Sequence, residues 1–272
     1  MNVFTKVIIP TEKPWQRDLL SGLMGEKGYD GFEEEQTAFN AYIRRDAFDR
    51  SIIEAILSPL GLGFYTEEIP AVNWNEEWEK SFVPVEVGNF CSIRASFHEA
   101  SKDVTHDIII TPRMSFGTGH HATTYLMIRQ MQGLSFDGSK VLDFGTGTGV
   151  LAILSEKLGA SEILAIDNDE MSVENAIDNV RENGCVRITV ENADQIKPGG
   201  QYDIILANIS RNVLLEQMHN VAQHLSQDGV VLMSGLLSGD QEIIEEKVRE
   251  AALGVNKTDE RDGWIVLRLV HK

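Results

Sequence analysis

Residues 141–149 read VLDFGTGTG. Val141 and Leu142 are the apolar end of a buried strand, Asp143 closes it, and Gly145, Gly147 and Gly149 form a turn that opens a helix over residues 150–158. Glycine is needed there because, without a Cβ, the backbone takes positive φ and a ligand can lie against bare peptide. The helix start adds N–H donors that have no partner within the helix.

The spacing bears on the ligand. A dinucleotide fingerprint reads G-x-G-x-x-G and places a pyrophosphate over the helix start. Here the third glycine slot holds Val150, and the run is D-x-G-x-G-x-G, which resembles the first motif of the S-adenosylmethionine-dependent methyltransferases. Twenty residues on, SEILAID ends in Asp167, a carboxylate placed to accept hydrogen bonds from both ribose hydroxyls. Either cofactor would use that acid, so Asp167 does not discriminate between them.

Beyond the turn, strand and helix alternate to the end of the chain. The pattern predicts a helix over 169–183, strands over 186–190 and 202–207, a helix over 211–225, a strand over 229–234, a helix over 240–253 and closing strands near 255–257 and 264–270. That is an α/β domain built on a doubly wound sheet of seven strands, whose ligands lie at the strands' carboxyl ends near the switch point. Asp143, Asp167, Asp194 and Asn208 fall at or just past such ends. Asp194 is open to two readings, as a partner of an adenine amino group or as a surface turn residue.

Ahead of the turn, PRMSFGTGHHATT (112–124) reads as a flexible glycine-rich cover leading into a helix over 123–131. His120 and His121 are adjacent, so their side chains diverge, and no further ligand falls at a useful spacing; no metal site is expected. Strand-like runs over 83–97 and 105–111 precede the cover. The segment NWNEEWEKSF sets Trp74, Trp78 and Phe82 along one stripe of a linker helix over 69–82. Residues 1–68 alternate as βαββαβ, a smaller ferredoxin-like α+β domain, with Trp15, Leu19, Leu20 and Leu23 on one helix face and Asp46 capping the second helix. Nothing in it looks catalytic, which suggests substrate recognition. The expected division is thus 1–68, a linker helix at 69–82, and a catalytic domain at 83–272.

The 272 residues can bury a sizeable core, and 42% hydrophobic with 24% charged residues excludes wholesale disorder. A formal net charge of −18 argues against a surface built for nucleic-acid phosphates and fits solubility or a basic protein partner. Cys91 and Cys185 stand in no metal or redox spacing and read as core thiols in a reducing compartment. With no signal segment and no apolar run of membrane-spanning length, the expectation is a cytoplasmic protein with no membrane contact, and a monomer.

NWNEEWEKSFVPVEVG, PRMSFGTGHHATT, VLDFGTGTGVLAI, AIDNDEMSVENA and LANI, in that order, resemble the PrmA family, bacterial methyltransferases of ribosomal large-subunit protein L11. The resemblance implies a class I methyltransferase domain behind a small substrate-recognition domain. It implies S-adenosylmethionine as cofactor, and transfer of methyl groups to lysine or α-amino groups of that basic protein. By the same resemblance, cofactor contacts fall on Thr124, Gly145, Asp167 and Asn208, with Phe116 and Gly117 over the cofactor and Asp143 and Gly147 in its turn. Two departures stand out: Arg113 where the family has glycine, and His120, His121, Ala122, Thr123, Thr124 where it has Thr-His-Pro-Thr-Thr. No histidine or carboxylate is placed as a dedicated base. Asn208 either accepts a hydrogen bond from the incoming amine, as its catalytic role, or positions the cofactor. It is followed by Ile209, Ser210 and Arg211 rather than by the Pro-Pro-aromatic of enzymes that methylate flat amides or bases. A methyltransferase of another protein and a nicotinamide-dependent oxidoreductase are the alternative readings.

Overall fold

A computed structural model describes residues 4–11, 13–25, 27–29, 31–35, 37–69, 83–111, 119–197 and 199–272. The chain divides into two compact units, Met1–Phe82 and Val83–Lys272. The linker helix expected to carry Trp74, Trp78 and Phe82 lies outside the described residues.

In the first unit the order is β1 (Phe4–Pro10), α1 (Pro14–Gly25), β2 (Gly31–Glu34), β3 (Ala38–Arg44), α2 (Arg50–Leu57) and β4 (Tyr65–Ile69). They form an antiparallel sheet in the order β2-β3-β1-β4, the arrangement of a split βαβ unit. Alternation in β1 turns Val7 and Ile9 inward, where they pack with Leu20, Met24, Phe39, Ala41, Ile53 and Leu57. Two local expectations need correction. Leu20 is buried with Met24, but Trp15, Leu19 and Leu23 are exposed, because the inward stripe runs Gln16, Leu20, Met24, one position around the helix. The cap of α2 is Asp49, whose extended backbone lets its carboxylate accept from the Ser51 N–H, whereas Asp46 sits in a 3-10 turn and pairs with Arg44 at 2.6 Å.

The second unit opens with a small sheet of β5 (Val85–Val87), β6 (Cys91–Arg94) and β7 (His106–Ile109), followed by α3 (Ala122–Met131). Then come β8 (Lys140–Phe144), α4 (Val150–Lys157), β9 (Glu162–Asp167), α5 (Glu170–Glu182), β10 (Ile188–Asn192), β11 (Tyr202–Asn208), α6 (Arg211–His224), β12 (Leu225–Leu237), α7 (Gln241–Glu250), β13 (Leu253–Arg261) and β14 (Trp264–His271). The large sheet has seven strands in the order β10-β9-β8-β11-β12-β14-β13, parallel from β10 to β12, with β14 antiparallel to both its neighbours. Leu142, Ile205, Val231, Met233, Leu267 and Leu269 belong to one core cluster that α6 and α7 help to close. Cys91 is a buried free thiol as expected, while the free thiol of Cys185 is half-buried rather than in the core. Among the described residues no helix is long and apolar enough to cross a membrane.

From β8 the chain steps outward through β9 to β10, then returns to pair β11 with the other side of β8. Two crossovers therefore leave in opposite directions at β8 and β11, which opens a crevice above their carboxyl ends.

Candidate functional site

Strand register sets the site. Phe144 pairs with Ile166 on one side and Ala207 on the other, so the next residues, Gly145, Asp167 and Asn208, stand level across three adjacent strands. Three positions read separately along the chain are thereby neighbours in space. They line a cavity of about 640 Å³, a size that suits a small cofactor with part of a substrate. Thr124 and Gly147 line it too, as does Asp194, at the end of the β10 segment.

The glycine turn is held from below and from the side. Gly145, Gly147 and Gly149 all have positive φ, at 75°, 55° and 81°. The Gly145 and Thr146 N–H groups donate to the Ile166 carbonyl at 2.8 and 3.0 Å, which folds the turn back over β9. Asp167 then ties it laterally: one carboxylate oxygen accepts from the Gly147 N–H at 2.9 Å, the other from the Asp169 N–H at 3.0 Å. Gly145 has a further reason to be bare, since a Cβ there would lie 2.1 Å from Ile209 Cγ2.

Asp143, expected to meet the cofactor, is not among the residues that line the cavity. Its carboxylate is buried beneath the turn, where one oxygen accepts from Thr146 Oγ1 at 2.6 Å and from the Ala152 N–H at 3.2 Å. The other oxygen is buried with no hydrogen-bond partner. A side chain at the strand's end either rises into the crevice or turns under the loop, and unpaired N–H groups in the first turn of α4 draw this one under. Burial pushes its pKa from 3.8 to about 7, against the two hydrogen bonds that favour the charged form.

The folded chain binds the Asp143 proton more tightly than the unfolded chain does. The associated stability is fully present below about pH 4 and is lost as pH rises through about 7. Asp143→Asn removes that dependence. Between about pH 5 and pH 8 the wild-type melting temperature should fall by more than that of the variant, a difference readable by calorimetry. Equal slopes for the two proteins would refute a proton shared between fold and solvent at this site.

Thr124 is buried in the first turn of α3, whose N-cap is His121. The Nδ1 of His121 accepts from the Thr123 N–H at 3.4 Å and lies 2.8 Å from Thr123 Oγ1. Across the crevice the Asn208 amide N–H₂ donates to Thr124 Oγ1 at 3.4 Å, joining the end of β11 to α3. Phe116 and Gly117 lie outside the described residues.

Several lining residues carry no sequence signal that names them. Trp264 is delivered by the β13–β14 hairpin, whose turn residues Asp262 and Gly263 have φ of 53° and 77°, the two-residue form that Asp-Gly favours. Its indole packs at 71° against the His121 ring, with centroids 4.6 Å apart. The Asp-Gly pair announces a hairpin, but not that its far side reaches the glycine turn. Gly235, with φ of 89°, sits where β12 slips register against β14, and its backbone lies against the Ile209 carbonyl. Arg211 begins α6 and donates from Nη1 to Asp240 Oδ1 at 2.7 Å, while Asp240 Oδ2 accepts from the Leu237 N–H at 3.1 Å. The guanidinium beside Asp240 holds that carboxyl below the usual carboxylate range.

The glycine turn offers bare peptide, Asp167 offers a ribose-type acceptor pair, and Asp194 offers an acid at the far end. Such a donor and acceptor set fits an adenosine nucleoside without a pyrophosphate. Among the described residues no three His, Cys, Asp or Glu side chains cluster as metal ligands.

The profile of PrmA, described as ribosomal protein L11 methyltransferase, matches residues 16–272. A protein of Porphyromonas gingivalis named ribosomal protein L11 methyltransferase is 39% identical over 259 residues, covering 92% of this chain and 89% of that protein. One of the same name from Chlorobaculum parvum is 38% identical over 266 residues, covering 91% and 90%. Among solved structures, the ribosomal protein L11 methylase of Lactobacillus delbrueckii subsp. bulgaricus superposes with a TM-score of 0.65 at 28% identity, over 70% of this chain and all of that one.

Proposed function

The chain belongs to the PrmA family of ribosomal protein L11 methyltransferases, and we propose that it transfers methyl groups from S-adenosylmethionine to amino groups of ribosomal protein L11. The observation that carries the cofactor assignment is the level row of Gly145, Asp167 and Asn208 around one crevice. When bound, S-adenosylmethionine supplies a sulfonium methyl group open to attack by an amine. Asp167 would hold the ribose, the Gly145 to Gly147 turn would lie under the nucleoside and methionine portion, and Asp194 would stand at the adenine end.

The remaining chemistry belongs to the protein. An amine attacks only with its lone pair free, and an exposed lysine holds its proton to a pKa of about 10.4. The pocket must therefore favour the neutral form and fix its approach. Asn208 donates to Thr124 from its amide nitrogen, so its amide oxygen would be the acceptor for one amine N–H and would orient the incoming nitrogen. His121 commits Nδ1 to capping α3, so its role is to hold Thr123 and Thr124 in place rather than to take a proton through that nitrogen. Trp264 and Ile209 close the acceptor side with apolar surface and limit water around the reacting nitrogen. In this reading the first unit, whose described residues show no chemical site, serves recognition of the protein substrate.

Intact-protein mass spectrometry of L11 after incubation with this protein and S-adenosylmethionine tests the proposal. Stepwise additions of one methyl group are expected, and none in a control without cofactor. Bound cofactor with no additions would move the search to another basic protein. Failure to bind S-adenosylmethionine at all, with binding of a nicotinamide dinucleotide, would refute the methyltransferase reading.

A further inference from the structure

We propose that Arg211, anchored by Asp240, forms a positive wall at the acceptor end of the cavity and drives the incoming substrate ammonium to its neutral, nucleophilic form. The proposal rests on the reading of this site as an amine methyltransferase and adds the residue that controls the acceptor's protonation.

The cavity is polarised along the sheet. Asp167, Asp169 and Asp194 line its β9 and β10 end, while Asn208, Arg211, Gly235 and Trp264 line its β11, β12 and β14 end. The nucleoside belongs with the acids, so the acceptor enters on the other side. Among the described residues Arg211 is the only lysine or arginine that lines the cavity. In a chain of formal charge −18, a lone arginine at that place calls for a reason.

Its partner is not among the lining residues. Asp240 is only 16% exposed, takes the guanidinium on one oxygen and the Leu237 N–H on the other, and does not itself line the cavity. Among the described residues, the lining at this end therefore carries the cation and not its counter-ion. The start of α6, a 14-residue helix, adds unpaired N–H groups of the same sign at Ser210 and Arg211. Among the described residues, the other charged or titratable groups facing this space are His121 at the N-cap of α3, and Asp167, Asp169 and Asp194 at the opposite end.

A fixed cation beside an ammonium disfavours its charged form, and a guanidinium cannot relieve the repulsion by losing its own proton. The proton therefore leaves the substrate nitrogen for solvent as it enters. Its lone pair then forms the N–C bond, while the electrons of the breaking C–S bond stay on sulfur. The methylated ammonium product is again repelled from the same wall, which favours its release or its deprotonation for another addition.

The test is the pH dependence of L11 methylation by the full chain, with Arg211→Ala, Arg211→Lys and the double variant Arg211→Ala with Asp240→Asn. Arg211 is 45% exposed, so these changes do not open the core. In Arg211→Ala the rising limb of the rate should move up by roughly one pH unit, giving about a tenfold loss near neutrality that fades at high pH. Arg211→Lys should stay near the wild type, and the double variant should fall between the two, since it no longer leaves an unpaired carboxylate. A second readout needs no turnover: calorimetry in buffers of different ionisation enthalpy, with L11 titrated into protein loaded with S-adenosylhomocysteine. Wild type should release a proton that Arg211→Ala releases to a smaller extent.

A loss in Arg211→Ala that is uniform across pH, unchanged proton release, or weakened S-adenosylmethionine binding with an unmoved pH limb would each overturn the proposal. If wild type itself leaves L11 unmodified, the fault lies with the proposed function instead.

Discussion

Gly235→Ala is expected to lose about 2–4 kcal/mol of stability and most of its cofactor binding. A Cβ at this position would lie 2.0 Å from the Ile209 carbonyl oxygen and 2.8 Å from its carbon, so the obstruction is backbone that no rotamer change can move. The φ of 89° adds strain for any residue with a side chain. Relief requires the segment after β11 to shift, and Ile209 in that segment also rests over Gly145. Damage on β12 would thus reach the glycine turn through one intervening residue. Urea unfolding and calorimetric titration with S-adenosylmethionine measure the two losses. Gly239→Ala is the control, because nothing lies within 4 Å of its Cβ position and it needs no positive φ. A Gly235→Ala protein as stable as that control would show that the β12 backbone yields freely and that the close approach to Ile209 has no role.

Asp167→Ala should weaken S-adenosylmethionine binding by about 1–3 kcal/mol, or roughly 5- to 150-fold. Two losses combine. The ribose hydroxyls lose their acceptors, and the Gly147 and Asp169 N–H groups lose the carboxylate that holds the turn against β9. Asp167→Asn separates this from a question of size. Its amide must turn a donor toward one of two N–H donors that now share a carboxylate, so it should fail to restore wild-type affinity. Wild-type binding in either variant would remove Asp167 from the cofactor site.

Much of this site is legible in residues 141–149 and in the strand that ends at Asp167. A bare-peptide turn between strand and helix requires glycine, and an acid at the next strand's end is a local signal. Whether a strand-end carboxylate such as Asp143 rises into the crevice or tucks under the turn is not legible locally, because it depends on which unpaired N–H groups it finds, here that of Ala152, nine residues away. Along α1, both Leu19 and Leu20 have the side chain for a core, and only the sheet beneath decides that Leu20 is buried and Leu19 is not.

The sequence by itself determined the order of strands and helices, the glycine turn, the acid that flanks it and the family to which the chain belongs, because each is written in neighbouring residues as periodicity, turn chemistry or a short motif. Tertiary structure alone decided that Trp264, Gly235 and Arg211 line the same cavity as the glycine turn, with Arg211 paired to Asp240. These residues reach the glycine turn only through the pairing of β11 with β12 and of β12 with β14. Local preference shapes each strand, but which strand lies beside which, and in what register, is settled by burial of the whole sheet at once.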